Sequence, residues 1–199
     1  MKVACVVEGD GEVAALPVLL RRLADWRSPG LYVDVQTPIR VRRDRFLNRE
    51  EEFSRNMCLA AAKCGAGGFV LVMLDADDDC PVALSRDLKA RCEIVVPHRA
   101  VSIVLANREY EAWFIASAES LSGKRGFVCP TGILPDPDSP RDAKGWVRSQ
   151  ITGGRYGEAT DQAAFTAQMS LPDAHGRSRS FRKLCSEFDR RIGENACSE

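Results

Sequence analysis

Four apolar runs, separated by stretches of helical periodicity, organise the first 105 residues of the chain. The opening run, Lys2-Val-Ala-Cys-Val-Val7, is apolar at nearly every position. That is the pattern of a strand covered on both faces. Val13, Leu16, Leu20 and Leu23 then recur at helical spacing. Pro17 has no N–H to give a helix interior and fits best in a first turn, so the helix is expected to begin near Ala14, after a turn over Gly9–Gly11. From Leu31 to about Val41 the pattern alternates, with Leu31, Val33 and Val35 opposed to Tyr32, Asp34 and Gln36. This predicts a half-exposed strand at a sheet edge. Phe53, Met57, Ala60 and Cys64 define one face of a helix over Glu50–Cys64, which Gly65-Ala-Gly-Gly68 stops. A strand over Phe69–Leu74, a helix over Val82–Cys92 and a strand over Ala100–Leu105 complete the series. Strands alternating with helices predict an α/β fold with a parallel sheet and right-handed crossovers.

Beyond Leu105 the pattern changes. Arg108–Ser117 reads as a helix with Tyr110, Trp113 and Phe114 on its apolar side. Residues 123–141 are rich in Gly, Pro and Asp and read as loop. The remainder is mainly helical, with Phe181, Leu184, Cys185, Phe188 and Ile192 forming one stripe over Ser180–Ile192. The expected organisation is an α/β region over 1–120. A loop and helical extension over 121–199 packs on it as one compact unit, with Gly193–Glu199 fraying at the end.

Composition narrows the function classes. Lysine plus arginine equals aspartate plus glutamate at 28 each, so the formal charge is zero and any nucleic-acid surface is a local patch. No apolar run approaches the roughly 18 residues of a membrane span. The chain opens directly on a strand, so the reading is a cytoplasmic protein. The eight cysteines form no Cys-x-x-Cys pair and read as reduced thiols, several on core faces. A zinc site from Cys80, Cys92 and His98 matches no standard spacing.

The chemistry lies where two strands end. The first runs into Glu8-Gly9-Asp10-Gly11-Glu12, the third into Asp75-Ala76-Asp77-Asp78-Asp79. Ligands of open α/β sheets gather beyond the carboxyl ends of the strands. Carboxylates crowded there repel one another unless a positive charge joins them. Asp75 and Asp77, two apart, would point the same way in an extended turn. Glu8, Asp75 and Asp77 therefore read as ligands of Mg²⁺ or Mn²⁺, which prefer oxygen donors. Asp78 and Asp79 read as helix caps, and the same reading is the alternative for Asp10. An EF-hand is excluded, because its glycine position holds Cys80 and its closing glutamate position Arg86. Neither a Gly-Lys-Ser/Thr phosphate loop nor Gly-x-Gly-x-x-Gly is present. Arg40, Arg42, Arg43 and Arg45 form one basic stretch, and Arg177, Arg179, Arg182 and Lys183 another. Both are candidate phosphate contacts, with ordinary surface charge as the alternative. Lys144 is a candidate for stabilising transition-state charge.

Glu8-Gly9-x-x-Glu12 after one strand and Leu74-Asp75-x-Asp77 after another resemble a Toprim domain, the catalytic fold of topoisomerases, bacterial primases and OLD-type nucleases. Asn107-Arg-Glu-Tyr-Glu111-Ala-Trp113 resembles the Glu-Ala-Trp segment of a small bacterial Toprim-like group, the domain of unknown function 4276 family. Lys144, Tyr156 and Ser178-Arg-Ser-Phe181 are similar to that group's tail, while Gly11 stands where its members often carry Thr. The resemblance implies a Toprim-like, Rossmann-like sheet flanked by helices. It implies Glu8 as general acid/base or metal ligand, and Asp75 and Asp77 as holders of Mg²⁺. Glu111 would complete the site, although Glu109 and Glu111 also fit the solvated face of a helix. The implied activity is metal-dependent cleavage of a DNA or RNA phosphodiester, in defence against phage or foreign DNA beside a partner ATPase. A homodimer is among the assemblies open to such a chain. The alternative is a non-catalytic module whose acidic site binds metal to hold structure or a partner. A strand-passing enzyme would need a nucleophilic tyrosine on a separate module, which Tyr32, Tyr110 and Tyr156 do not provide.

Overall fold

The computed structural model describes residues 1–196. Strands β1 (Lys2–Val7), β2 (Asp34–Val35), β3 (Ile39–Arg40), β4 (Phe69–Asp75) and β5 (Ala100–Ala106) form one parallel sheet. Its order is β2-β1-β4-β5, with β3 beside β1 as well. The half-exposed second strand is thus at an edge, as its alternation predicts, but it is two short pieces. Lys2 and Val3 pair with Asp34 and Val35, and Val6 and Val7 with Ile39 and Arg40. Pro38 sits in the gap, where its missing N–H costs the ladder a rung.

Both faces of the sheet are covered, which is why its strands are apolar throughout. Val3, Cys5, Val7, Phe69, Leu71, Met73, Val104 and Ala106 point into one core. That core is closed by α1 (Asp10–Arg27), α5 (Ala112–Ala116), α8 (Ala163–Thr166), α9 (Leu171–Arg177) and α10 (Arg179–Ala196). Ala4, Val6, Val70, Val72, Leu74, Ile103 and Leu105 point into a second core under α2 (Arg43–Asn48), α3 (Glu50–Cys64) and α4 (Pro81–Val95). Two further short helices, α6 (Ala118–Leu121) and α7 (Ala143–Ser149), flank the loop over 123–141. A π-helical turn over Glu158–Gln162 runs into α8.

Several local expectations change. Helix α1 starts at Asp10, not near Ala14, because Gly9 is its N-cap and the Glu12 carboxylate accepts the Gly9 N–H at 2.7 Å. Pro17 therefore lies inside the helix, where the Val13 carbonyl loses its helical donor. The Arg108–Ser117 helix shrinks to α5, since Arg108 adopts a φ of 65°. Asp78 and Asp79 do not cap α4, whose N-cap is Cys80; they pair with Arg108 and Arg43. Asp10 likewise sits in the first turn of α1 rather than capping it. Cys58 and Cys80 are exposed rather than in the core, whereas Cys5, Cys64, Cys92 and Cys185 are buried. Gly193–Ala196, expected to fray, complete α10, and the rest of that expected tail, 197–199, lies outside the described residues.

Candidate functional site

The chain leaves β1 for one flank of the sheet and returns for β4 on the other. The carboxyl ends of β1 and β4 therefore frame the crevice where an open α/β sheet binds ligands. Val6 pairs with Val72, so Glu8 comes level with Leu74, the neighbour of Asp75. Asp75 in turn pairs with Ala106, three residues before Glu109 and five before Glu111. Three adjacent strand ends thus deliver carboxylates to one place.

Asp75 is partly buried, and its Oδ1 accepts the Tyr110 N–H at 2.9 Å. Burial raises its carboxyl well above the ordinary range, and the charges of Glu12, Glu111, Glu8 and Glu109 raise it further. Glu111 is 1 % exposed, so it is no solvated helix face. Its Oε1 accepts from the Tyr156 hydroxyl at 2.8 Å and the Gln162 amide at 3.2 Å. Burial pushes its carboxyl up to about 7, against the pull of the Tyr156 bond and Lys144. Glu8 is raised by burial and then by Asp77, with Arg43 opposing. Its Oε2 is buried without a hydrogen-bond partner.

The Asp75–Asp77 expectation is only half met. Asp77 turns left-handed at a φ of 49°, so the segment is not the extended turn that would aim both side chains the same way. Asp77 instead faces Arg43 Nε at 3.5 Å. Arg43 is not a free phosphate contact either, because its guanidinium donates to the Asp75 carbonyl at 3.3 Å and pairs with Asp79. Arg40 donates to the Glu8 carbonyl at 3.2 Å and pairs with Asp10. Arg42 is exposed next to them. Arg179 opens α10 and lies along β5 with Asn107 and Lys183. Lys144 joins the acidic group: Glu109 accepts its N–H at 2.8 Å, and its ammonium meets Glu158 at 2.9 Å. Burial works against that charge, but Glu158, Glu111 and Glu109 outweigh it and hold the amine above its usual value.

Two partners were not among the candidates read from the sequence. Glu12, 7 % exposed, faces inward from the first turn of α1. Gln162, 1 % exposed, sends its Nε2 to both Glu12 (3.3 Å) and Glu111 (3.2 Å), while its Oε1 is buried without a partner. The glycines beside them leave room for this. A Cβ on Gly9 would stand 2.4 Å from Glu12 Oε2, and one on Gly11 2.3 Å from Gln162 Oε1. Gly11, where the resembled group often carries Thr, thus leaves space for the Gln162 amide that bonds Glu12 from 150 residues away. The Gly-x-x-Glu spacing was the signal for Glu12; nothing local marked Gln162.

The donor set is all oxygen and strongly acidic, and a buried carboxylate oxygen lacks a partner, which fits a hard divalent ion. Among the described residues no three acidic, histidine or cysteine side chains are already grouped about one ion position. Side-chain rotation would have to complete a metal site. The Cys80, Cys92 and His98 trio is likewise not grouped. No helix among the described residues is long and apolar enough to cross a membrane.

No curated protein and no solved structure gave a significant match to the chain. One family model matches residues 7–189, a span that holds every carboxylate of the site, Lys144, Tyr156 and Gln162. The chain therefore belongs to the family described as a domain of unknown function, DUF4276.

Proposed function

We propose that the chain is a metal-dependent phosphodiester hydrolase of Toprim-like type, acting on nucleic acid. The observation that carries this reading is the buried, unpartnered Glu8 Oε2 beside Asp75, whose own carboxyl is raised first by burial and then by four neighbouring carboxylates. Uncompensated negative charge at a strand-end crevice is costly unless a cation joins it. Glu8 and Asp75 would hold Mg²⁺ or Mn²⁺, with Asp77 and Glu111 reaching the same ion or a second one. When bound, such an ion polarises a phosphoryl oxygen and lowers the pKa of water. If Asp75 holds the ion without it, Glu8, raised by burial, is instead suited to exchange a proton with the attacking or leaving oxygen. Lys144 brings positive charge to the phosphate from the side of Glu111. Arg40, which ends β3, and Arg42, just beyond it, would line the approach. Defence against foreign DNA and an ATPase partner belong to this reading on the strength of the family resemblance.

A second reading, a non-catalytic module, is favoured by the lack of a preformed three-ligand group among the described residues and by the Arg43–Asp77 pairing. Purified protein with Mn²⁺ or Mg²⁺ is to be tested on plasmid, single-stranded DNA and RNA. Under the hydrolase reading the wild type cleaves at least one of them, and Asp75→Ala and Glu8→Gln lose at least ~100-fold while still folding. Absence of cleavage by wild type, alone and with its genomic neighbours, leaves the module.

A further inference from the structure

Strand β5 is the far edge of the sheet from β2. Successive residues of a strand turn their peptide groups to opposite edges. Ala106 O accepts the N–H of Ala76, so the even-numbered residues of β5 face β4. The odd-numbered ones face outward. At the start of the strand this outer edge is covered, because Arg191 of α10 donates to Val101 O and, at 2.9 Å, to Ser102 Oγ. Further along it is not: the outward peptide groups of Ile103 and Leu105 have no partner among the described residues. They lie on a groove of about 640 Å³ between α4 and the start of α10. Val82, 77 % exposed, adds an apolar wall. Arg86, Lys89, Arg179 and Lys183 provide its charge, and no acidic residue lines it.

We propose that this groove binds an extended, acidic peptide segment of a partner protein, added to the sheet as a strand beside β5. A strand in the slot satisfies the free donors and acceptors of Ile103 and Leu105. Its alternate side chains meet Val82, Arg86 and Lys89 of α4 on one side and Arg179 and Lys183 of α10 on the other. Lys183 is already paired with Glu187 at 2.5 Å and Arg86 lies 3.9 Å from Asp87, so Lys89 and Arg179 supply most of the attraction for carboxylates, and the main-chain edge selects a peptide over a nucleic-acid strand. The inference uses no residue of the carboxylate site and stands apart from the proposed hydrolysis.

The test uses the full chain and a panel of labelled eight-residue peptides alternating Glu or Asp with Val, Ile or Thr. The matching Lys peptides, acidic peptides with Pro at alternate positions and a single-stranded oligonucleotide are run beside them, all read by fluorescence anisotropy. At least one acidic peptide binds ~10-fold or more tighter than its Lys and Pro counterparts. It also slows hydrogen exchange at the Ile103 and Leu105 amides. The double variant Arg86→Glu/Arg179→Glu, at exposed positions and with its fold checked by circular dichroism, loses that binding. The proposal is overturned if no acidic peptide binds saturably, if the Pro peptides bind equally well, if binding survives the double variant, or if only the oligonucleotide binds and protects the same amides.

Discussion

Glu111 is a carboxyl that burial raises above its ordinary 4.5, up to about 7, against the opposing pull of Tyr156 and Lys144. A folded-state value above the unfolded one means that the native protein holds this proton more tightly. Its contribution to stability is therefore full below about 4.5 and is lost as pH rises through about 7. With chelator present, urea unfolding should show Glu111→Gln gaining on wild type from pH 4 to pH 8, by up to ~3 kcal/mol. The amide keeps an acceptor for Tyr156 and Gln162, and Asp75, shifted the same way, keeps the variant's curve from becoming flat. A variant that tracks wild type across that range would remove the account of its burial. Gly11→Ala probes the opposite wall. Its methyl would press on Gln162 Oε1 and, at 3.1 Å, on the Glu158 carbonyl, so thermal unfolding should show a loss of ~1–3 kcal/mol. At this scale the sequence is readable where charge contradicts environment. Carboxylates ending apolar strands betrayed Glu8 and Asp75, whereas Gln162 is a neutral side chain whose partners appear only on folding.

The elements were legible to the extent that their periodicity was local. Strands β1, β4 and β5 and helix α3 follow their apolar runs almost residue for residue. Two outcomes were set by caps and breaks instead. Glu12 reaching back to Gly9 starts α1 early and forces Pro17 into its interior, and Pro38 divides the edge strand. The junction of α10 with β5 depends on one buried arginine. Arg191, 7 % exposed, binds Ser102 and Val101 of the strand and Glu194 of its own helix. Arg191→Met keeps the aliphatic stem but leaves the Ser102 hydroxyl and Val101 carbonyl without that donor. Chemical denaturation should show a cost of ~2–3 kcal/mol, with exchange of β5 amides accelerating before those of β1. Equal acceleration in both strands would mean that the arginine does not hold this junction.

The whole molecule does not divide where its sequence pattern changes. Trp113, Tyr110 and Phe114 share one core with Phe165, Met169, Phe181 and Phe188, and the Trp113 Nε1 donates to Ser180 at 2.9 Å. A chain ending after Leu121 would bare that core and the outer edge of β5 together. It should be recovered mainly as aggregate, with no cooperative melting transition, and a soluble, cooperatively folding fragment would contradict the single-core description. The break in periodicity near residue 105 marks a change of layer rather than of folding unit, because the later helices roof the sheet that the earlier segments build. The amide that bridges Glu12 and Glu111 gives this dependence a temporal side. Synthesis from the amino end makes every acidic group of the crevice before Gln162, so a polypeptide still emerging from the ribosome carries the acids without their clasp. Glu12 and Glu111 are thereby joined only after Gln162 has been made and its turn has packed on α1.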